Sequence, residues 1–308
     1  CIILSALAEE FGQGVMQNED VSIPFIACQT ADEAITQYTN ERIIFGNPDL
    51  VAQVLPQLPQ IDWVQSSWAG ITPLTKIDRR DYILTGVKDV FGPQMSEYVI
   101  GYLLAHELKI NQRLEEQNKH NWFRDHSGLL GKKTLGIMGT GSIGMHIAIT
   151  AKSFGMKVLG FSYSGNHKKG FDEIFSFEKL NDFLPNVDHL VMALPDTPAT
   201  YGLLNEDAFN LVSESTYLIN VGRSNSIDDE ALIDALNKGK LAGATLDVFD
   251  IEPIPNASKL WRTKNLNITG HIAAISHPFL ITPIFIENYL RYLEGNSLNY
   301  IIDLDRGY

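Results

Sequence analysis

A glycine-rich turn at residues 139–144, Gly-Thr-Gly-Ser-Ile-Gly, constrains the fold of this chain more than any other feature of its sequence. The turn directly follows the apolar segment Thr134–Met138, which has the composition of a buried strand, and a helix is predicted after it. In such a strand–turn–helix unit, Gly139 permits the tight turn and Gly141 lets the backbone approach a pyrophosphate. Gly144 lets the helix pack closely against the strand. The sequence therefore predicts a dinucleotide-binding unit around this turn.

The helix after the turn supplies the donors that a phosphate needs. Its first residues, Ser142 and Ile143, present backbone N–H groups, and the helix dipole favours an anion at this end. A glycine-rich turn without a ligand and a methyltransferase with a related turn are the two alternative interpretations. The predicted strands on both sides of the motif favour dinucleotide binding over both alternatives.

The end of the next predicted strand, Val158–Ser162, bears on which nicotinamide cofactor is used. An NAD site usually has Asp or Glu there, which accepts a hydrogen bond from the ribose 2′-hydroxyl. Here the strand runs into Ser162, Tyr163 and Ser164, which offer hydroxyl donors and no carboxylate, and Lys168 follows shortly after. Because no acid repels a 2′-phosphate, the sequence favours NADP over NAD, with a merely solvated lysine loop as the alternative.

Short apolar segments alternate with helix-compatible segments along most of the chain, which is typical of parallel α/β units. The first series of predicted strands is Ile2–Leu4, Pro24–Ala27, Arg42–Phe45, Asp62–Gln65 and Ile83–Thr85. The second series is Thr134–Met138, Val158–Ser162, His189–Leu194, Thr216–Val221, Ala244–Val248 and Leu266–Thr269. Helical crossovers between the strands of the second series predict a doubly wound sheet.

Two further helices bear on how the predicted units are built. Met95 to about Lys119 has apolar residues at helical spacing and no proline, which predicts one long helix. Another helix is predicted from about Pro283 to Leu293, and we expect it to return to the first unit. Asp228 is expected to cap a helix that Gly239 ends.

Three segments begin at the carboxyl ends of predicted strands, and each brings one reactive side chain: Arg223, Glu252 and His271. Open α/β sheets bind their ligands at this edge, so we expect the three side chains to converge. A guanidinium can hold a carboxylate and polarise a ketone, an imidazole can give a proton, and a carboxylate can orient the imidazole. Taken singly, each could be structural; together they bring one cation, one carboxylate and one imidazole to the ligand-binding edge.

These motifs, in this order, resemble the D-isomer-specific 2-hydroxyacid dehydrogenase family, and most of all its glyoxylate/hydroxypyruvate reductase A branch. The resemblance covers essentially the whole chain, and further stretches that carry it are Asp62–Ser66 with Ala69–Gly70, Met95–Tyr98, Leu194–Pro198, His271–Pro278 and Arg306–Tyr308. It implies a Rossmann-type doubly wound parallel sheet at 94–276 and a smaller flavodoxin-like α/β substrate domain at 1–93, completed by 277–308.

The resemblance also implies hydride transfer from a nicotinamide cofactor to a small 2-oxo acid, and it implies roles for individual residues. Arg223 would hold the substrate carboxylate, while His271, paired with Glu252, would donate the proton in reduction and accept it in oxidation. The remaining residues implied at the substrate are Trp68, Ala69, Gly70 and Ile71, of which Trp68 either narrows the pocket or only packs. Those implied at the cofactor, besides the glycine turn and residues 162–168, are Leu194 and Pro195 beside the adenosine, Asp247 at the nicotinamide carboxamide, and Val221, Gly222 and Ala273.

Two positions depart from the family pattern, and other functions stay open. Ser224 stands where the family usually has Gly, and Gly270 stands where it usually has Pro, so Arg223 or His271 could be held less firmly. The alternatives are a dehydrogenase for a phosphorylated substrate, drawing on basic residues such as Arg79, and a cofactor sensor without turnover. A formate enzyme would pair its histidine with glutamine, which Glu252 argues against.

Composition limits partners and location. The chain has 37 Asp and Glu against 24 Lys and Arg, a net charge of −13, which argues against nucleic acid and anionic membranes as partners. Its two cysteines, Cys1 and Cys28, predict reduced thiols in the cytoplasm, and no metal-ligand spacing is present. Because the chain starts at Cys1, we expect its natural start upstream; a lipid-modified cysteine is disfavoured, since Ile2–Leu4 reads as a buried strand. The family resemblance implies a homodimer.

Overall fold

The computed structural model describes residues 1–19 and 21–304, so the closing stretch Arg306–Tyr308 lies outside the described residues. The chain divides into two compact units. Unit 1 consists of Cys1–Val90 together with the chain from Ser276 onward, and unit 2 consists of Phe91–Ile275. That unit 1 serves the substrate and unit 2 the dinucleotide stays a prediction.

Every strand in the described residues belongs to one of two sheets. The strands of unit 1 are β1 (Ile2–Leu4), β2 (Ile26–Cys28), β3 (Ile43–Gly46), β4 (Trp63–Ser66) and β5 (Ile83–Thr85). Those of unit 2 are β6 (Thr134–Met138), β7 (Lys157–Ser162), β8 (Glu173–Ser176), β9 (His189–Met192), β10 (Tyr217–Asn220), β11 (Gly243–Leu246) and β12 (Leu266–Ile268). All neighbouring pairs are parallel, which requires the crossover connections that the alternating sequence predicted.

In chain order the helices are α1 (Ala8–Met16), α2 (Ala31–Gln37), α3 (Pro48–Val54), α4 (Thr72–Thr75), α5 (Gly92–Glu107), α6 (Ile110–Asn118), α7 (Ser142–Ser153), α8 (Leu180–Phe183), α9 (Glu206–Phe209), α10 (Asp229–Asn237) and α11 (Pro278–Leu293). Helices α1–α4 and α7–α10 lie in the crossovers, whereas α5 and α6 lie between the two sheets in the sequence and α11 follows the last strand. The predicted cap is present, because the Asp228 carboxylate accepts from the Ala231 N–H at 3.1 Å. No helix in residues 1–19 and 21–304 is long and apolar enough to cross a membrane.

The strand orders confirm the predicted fold class. Unit 1 has the order β2-β1-β3-β4-β5, the flavodoxin-like arrangement. Unit 2 has the order β8-β7-β6-β9-β10-β11-β12, a doubly wound Rossmann-type sheet with one strand added at its far edge. Within each sheet, the carboxyl ends of all strands therefore lie at one edge. The loops that bear the candidate residues begin at that edge of their own sheet.

The edge strand β8 is absent from the sequence-based prediction. Its residues Glu173–Ser176 are partly exposed, and the strand pairs only with β7 among the strands of the described chain. Because β8 has no continuous buried apolar face, its sequence contains no apolar run that would predict a strand. The strand is recognised only by its pairing with β7.

The prediction of one helix over Met95–Lys119 is wrong, because the chain breaks at Lys109, whose φ of +53° is left-handed. Contacts with the arm that follows the helix hold this break. The Lys109 ammonium pairs with the Asp125 carboxylate at 2.9 Å, and Arg113 donates to the Asp125 carbonyl at 2.8 Å. Tertiary contacts therefore end α5 at a residue with no glycine or proline to mark the end.

The last helix, α11, begins five residues before its predicted start and contains Pro283 in its interior. A proline there removes a backbone N–H and usually disfavours a helix, which is why the prediction began at it. Burial offsets this cost: Phe285 is fully buried and stacks on Phe45 at 4.5 Å and on Trp63 at 5.6 Å. The helix belongs to unit 1, where it packs on α1.

Candidate active site

The glycine turn between β6 and α7 has the backbone geometry that its sequence predicts. Gly139 has a φ of +103°, and a Cβ there would lie 2.4 Å from the Ala193 carbonyl oxygen. A Cβ on Gly144 would lie 1.9 Å from the Gly139 carbonyl oxygen. Gly141 differs, since no atom lies within 4 Å of its Cβ position. Two of these glycines are thus required by the fold, and Gly141 instead leaves a surface open to a ligand.

Two sets of hydrogen-bond donors at this turn are unsatisfied, and both suit a phosphate. Gly141 precedes α7 as its N-cap and no side chain caps the helix, so the first N–H groups keep their donors. The Thr140 hydroxyl is buried, and it has no hydrogen-bond partner among the described residues. A bound pyrophosphate would accept from such donors, so the residues present suit a dinucleotide.

The segment after β7 lies against the glycine turn. Lys168 Nζ donates to the Thr140 carbonyl oxygen at 2.8 Å, which ties this segment to the turn. Ser162 Oγ accepts from the Gly165 N–H at 3.2 Å, so its own proton is available for donation. The side chains of Tyr163 and Ser164 are exposed beside it. The predicted group 162–168 is therefore assembled beside the glycine turn, with one cation and several hydroxyls.

The ends of β9 and β10 approach each other by their backbones. A Cβ on Gly222 would lie 2.7 Å from the Leu194 nitrogen, so glycine is needed for this approach. Leu194 and Val221 are both buried, and the Pro195 carbonyl accepts from Thr200 Oγ1 at 2.8 Å. These four predicted cofactor residues, 194, 195, 221 and 222, therefore lie together at the sheet edge.

Arg223 follows β10, and two side-chain hydrogen bonds hold its main chain. Asn220 Nδ2 and Ser226 Oγ both donate to the Arg223 carbonyl oxygen, at 3.1 and 2.8 Å. Its guanidinium donates to the Gly222 carbonyl at 2.7 Å, and no carboxylate pairs with it within the described chain. Ser224 opens the right-handed 3₁₀ turn 224–226, a backbone that serine adopts without strain. The departure from glycine at 224 therefore does not disturb the main chain of Arg223.

His271 and Glu252 form the hydrogen-bonded pair that the sequence predicts. Nδ1 of His271 lies 2.8 Å from Oε2 of Glu252, and Oε1 of the same carboxylate accepts from the Phe249 N–H at 2.9 Å. A carboxylate only accepts, so the imidazole proton on this side is on Nδ1. Nε2 is then the ring nitrogen available to a substrate, and the side chain is 51% exposed.

Asp247 holds the turn that carries His271. Its Oδ1 accepts from Thr269 Oγ1 at 2.5 Å and from the Ile272 N–H at 2.9 Å, and its Oδ2 accepts from the Ala273 N–H at 2.8 Å. The aspartate is 1% exposed, and three of its roughly four acceptor positions are thus used within the protein. Its predicted contact with the nicotinamide carboxamide stays a prediction.

Sequence reasoning missed two members of this arrangement. Thr269 bonds to Asp247, and its hydroxyl also lies 2.6 Å from the hydroxyl of Tyr98 on α5. Tyr98 and Thr269 lie near opposite ends of unit 2 in the sequence, and no motif spacing predicts that they meet. Gly270, the second departure from the family pattern, has no left-handed φ and no atom within 4 Å of its Cβ position, so the fold does not demand glycine there.

The predicted substrate loop, Trp68–Ile71, lies in unit 1 between β4 and α4. Ser66 Oγ accepts from the Trp68 N–H at 3.1 Å and donates to the Trp68 carbonyl at 2.7 Å, which fixes the start of the loop. Ala69 is exposed and Ile71 is buried. Substrate binding by this loop stays a prediction.

Arg79, which the phosphorylated-substrate alternative would use, is occupied within unit 1. Its guanidinium donates to four backbone carbonyls, at 2.6–3.1 Å, and pairs with Asp81. All five N–H donors are used in this way. Nor do the described residues contain a group of three or more His, Cys, Asp or Glu side chains that could hold a metal ion.

An open glycine turn at the carboxyl edge of a doubly wound sheet, with a histidine–glutamate pair at the same edge, is the arrangement of a dinucleotide-binding α/β protein. A family model described as the NAD binding domain of D-isomer specific 2-hydroxyacid dehydrogenases matches residues 100–273. Glyoxylate/hydroxypyruvate reductase A of Serratia proteamaculans is 34% identical over 215 residues, which are 70% of this chain and 69% of that protein.

Solved structures agree with this match. A D-isomer specific 2-hydroxyacid dehydrogenase family protein from Aeromonas salmonicida subsp. salmonicida has a TM-score of 0.95 at 37% identity, covering 99% of this chain and 98% of the other. An NADPH-dependent glyoxylate/hydroxypyruvate reductase from Sinorhizobium meliloti, solved with NADP and sulfate, has a TM-score of 0.86 at 27% identity, covering 100% and 99%.

The chain therefore belongs to the D-isomer-specific 2-hydroxyacid dehydrogenase family, within its glyoxylate/hydroxypyruvate reductase A branch. It is an NAD(P)-dependent oxidoreductase of the 2-hydroxyacid dehydrogenase and reductase class.

Proposed function

We propose that this protein reduces glyoxylate, hydroxypyruvate or a similar small 2-oxo acid to the D-2-hydroxy acid, with NADPH as the preferred reductant. The observation that carries the proposal is the 2.8 Å contact of His271 Nδ1 with Glu252, which leaves Nε2 as the proton donor. The reductase names of the relatives in Serratia and Sinorhizobium support the substrate class.

The chemistry divides among few groups. The bound nicotinamide supplies the hydride. Arg223 holds the substrate carboxylate with its planar guanidinium and polarises the ketone. His271 Nε2 gives its proton to the carbonyl oxygen as the hydride arrives at carbon, and Glu252 holds the ring and stabilises its charge. In the oxidative direction His271 takes that proton back. Residues 68–71 are proposed to bind substrate through their backbone N–H groups.

The stereochemistry of the product tests the reaction type. With hydroxypyruvate and NADPH, we expect the glycerate formed to be the D isomer, measured by chiral chromatography. Formation of the L isomer, or of a racemate, would contradict the assignment, because one fixed arrangement of donor and hydride delivers the hydrogen to one face only.

The cofactor site is tested by Gly141→Ala. Because its Cβ position is open, we expect the variant to fold with unchanged Tm, yet the methyl group would meet a pyrophosphate that approaches the backbone. We expect the Kd for NADPH, measured by fluorescence titration, to rise at least about 10-fold, roughly the 1.4 kcal/mol of one lost contact.

Gly101→Ala is the matched control, because its Cβ position is equally open and it lies inside α5. It should leave the Kd unchanged and raise stability by up to about 1 kcal/mol. Unchanged NADPH affinity in Gly141→Ala would exclude this turn as the pyrophosphate site.

NADP preference is proposed to depend on Lys168, which the hydrogen bond to Thr140 places at the glycine turn. Lys168→Ala should raise the KM for NADPH by about 10-fold and change the KM for NADH little, since only NADPH carries the 2′-phosphate. Lys169→Ala, which alters the exposed neighbouring lysine, is the control and should change neither. An equal effect on both cofactors would assign Lys168 a structural role.

We propose a homodimer that forms through the face of α5, α6 and the following arm. This face exposes large apolar side chains: Leu108, Ile110, Leu114, Trp122 and Leu129. Exposed apolar patches of this kind mark association surfaces. Light scattering should give twice the mass of one chain, and Leu114→Asp with Trp122→Ser should shift it towards one chain. Trp261→Ser, a change at another exposed tryptophan, should not. A monomeric wild type would contradict the proposal.

A further inference from the structure

The turn that carries His271 has an unfavourable backbone conformation that the surrounding structure must hold. His271 has a φ of +55°, in the left-handed region, where a side chain other than glycine is uncommon. Two backbone bonds join this turn to the end of β11: the Thr269 N–H donates to the Leu246 carbonyl at 3.0 Å, and the His271 N–H donates to the carbonyl of Asp247, the next residue, at 2.9 Å. Such strained positions persist where neighbouring contacts over-determine them.

Asp247 provides most of those contacts, as described above. Its carboxylate bridges Thr269, which precedes His271, and the Ile272 and Ala273 N–H groups, which follow it. The histidine is thus bracketed by hydrogen bonds to one buried carboxylate. Movement of that carboxylate would displace His271 Nε2.

Tyr98 on α5 extends this network and sets the direction of its protons. Burial raises the pKa of the Tyr98 phenol far above its ordinary value, so it stays protonated and can donate to Thr269 Oγ1. Thr269 then gives its own proton to Asp247, which has acceptors only. The Tyr98 hydroxyl thus donates to Thr269 and the Thr269 hydroxyl donates to Asp247, so each hydroxyl proton has an acceptor, as buried polar networks require.

We propose that Tyr98, Thr269 and Asp247 are positioning residues that hold the His271 turn in its reactive placement. The proposal rests on the proposed reductase function, and it differs from a direct role of Asp247 at the cofactor. Because the group acts through His271, its loss should lower kcat and leave NADPH binding intact. A misplacement of about 1 Å can cost on the order of 100-fold in rate.

The test compares two equivalent tyrosine–threonine pairs in the same unit. Thr269→Val should lower kcat for glyoxylate by about 10- to 100-fold with the KM for NADPH unchanged, and Thr269→Ser should restore most of it. Tyr98→Phe, a milder change, should lower kcat in the same direction. The controls are Thr245→Val and Tyr217→Phe, which remove a 2.7 Å hydroxyl pair that has no hydrogen bond to the Asp247 carboxylate, and they should leave kcat unchanged.

A second readout does not depend on turnover. In protein labelled with ¹⁵N-histidine, the His271 ring signals, assigned with His271→Gln, should change in Thr269→Val and not in Thr245→Val. Should the wild type reduce neither glyoxylate nor hydroxypyruvate, the proposed function fails, and these signals still decide the positioning role. Unaltered His271 signals together with unaltered kcat in Thr269→Val would overturn it. So would a raised KM for NADPH at unchanged kcat, which would assign the network to the cofactor.

Discussion

His271→Gln is expected to lower kcat for 2-oxo acid reduction by about 10²- to 10⁴-fold, the range that a positioned general acid contributes. Glutamine keeps a polar side chain of similar reach, but it has no proton to release near neutral pH. The structure defines which nitrogen is lost: Nδ1 is held by Glu252 at 2.8 Å, so Nε2 is the donor. Stopped-flow and steady-state oxidation of NADPH would measure the loss.

The Kd for NADPH should stay within about threefold of the wild-type value in this variant, because the histidine acts on the substrate carbonyl and other residues bind the cofactor. His126→Gln is the matched control, since His126 is exposed on the arm after α6. It should leave kcat unchanged. A His271→Gln enzyme that keeps the wild-type kcat would exclude His271 as the proton donor.

Arg223→Lys is expected to lower kcat/KM for the 2-oxo acid by about 10²- to 10³-fold, the cost of removing one fixed donor to developing charge. Lysine keeps the positive charge but cannot present two parallel N–H groups to a carboxylate. The backbone should not move, because Asn220 and Ser226 hold the residue 223 carbonyl whatever the side chain. The loss should appear both in kcat and in the KM for the 2-oxo acid, because Arg223 is proposed to polarise the ketone as well as to hold the carboxylate, and the KM for NADPH should change little.

Arg262→Lys is the control, because Arg262 is exposed in a short 3₁₀ helix, and it should have no kinetic effect. If Arg223→Lys retains wild-type kcat/KM, the guanidinium does not hold the substrate. In that case the carboxylate would have to be bound by backbone donors alone.

The parts of this protein that the sequence predicts well are those where a backbone clash leaves one residue type possible. Gly139 and Gly144 are such positions, and so is Gly222 between two strand ends. The buried strands are also predicted to within one or two residues, because parallel strands covered on both faces read as continuous apolar runs. The pairing of His271 with Glu252 followed from strand ends that meet at one edge.

What the sequence could not predict depends on contacts between distant residues. Lys109 breaks a helix because the arm at Asp125 holds it, and no local residue type signals the break. Pro283 lies inside a helix because packing of Phe285 outweighs the lost hydrogen bond. The Tyr98–Thr269 contact joins α5 to the loop after β12, and it becomes visible only once the fold is known.

The most direct test of the account is the oxidation of reduced cofactor in the presence of glyoxylate and of hydroxypyruvate, with NADPH and NADH assayed in parallel. We expect turnover with at least one of the two acids, a higher kcat/KM with NADPH than with NADH, and loss of that turnover in Arg223→Ala and His271→Ala. No turnover with either acid, in protein that binds NADPH, would contradict the proposed reductase function.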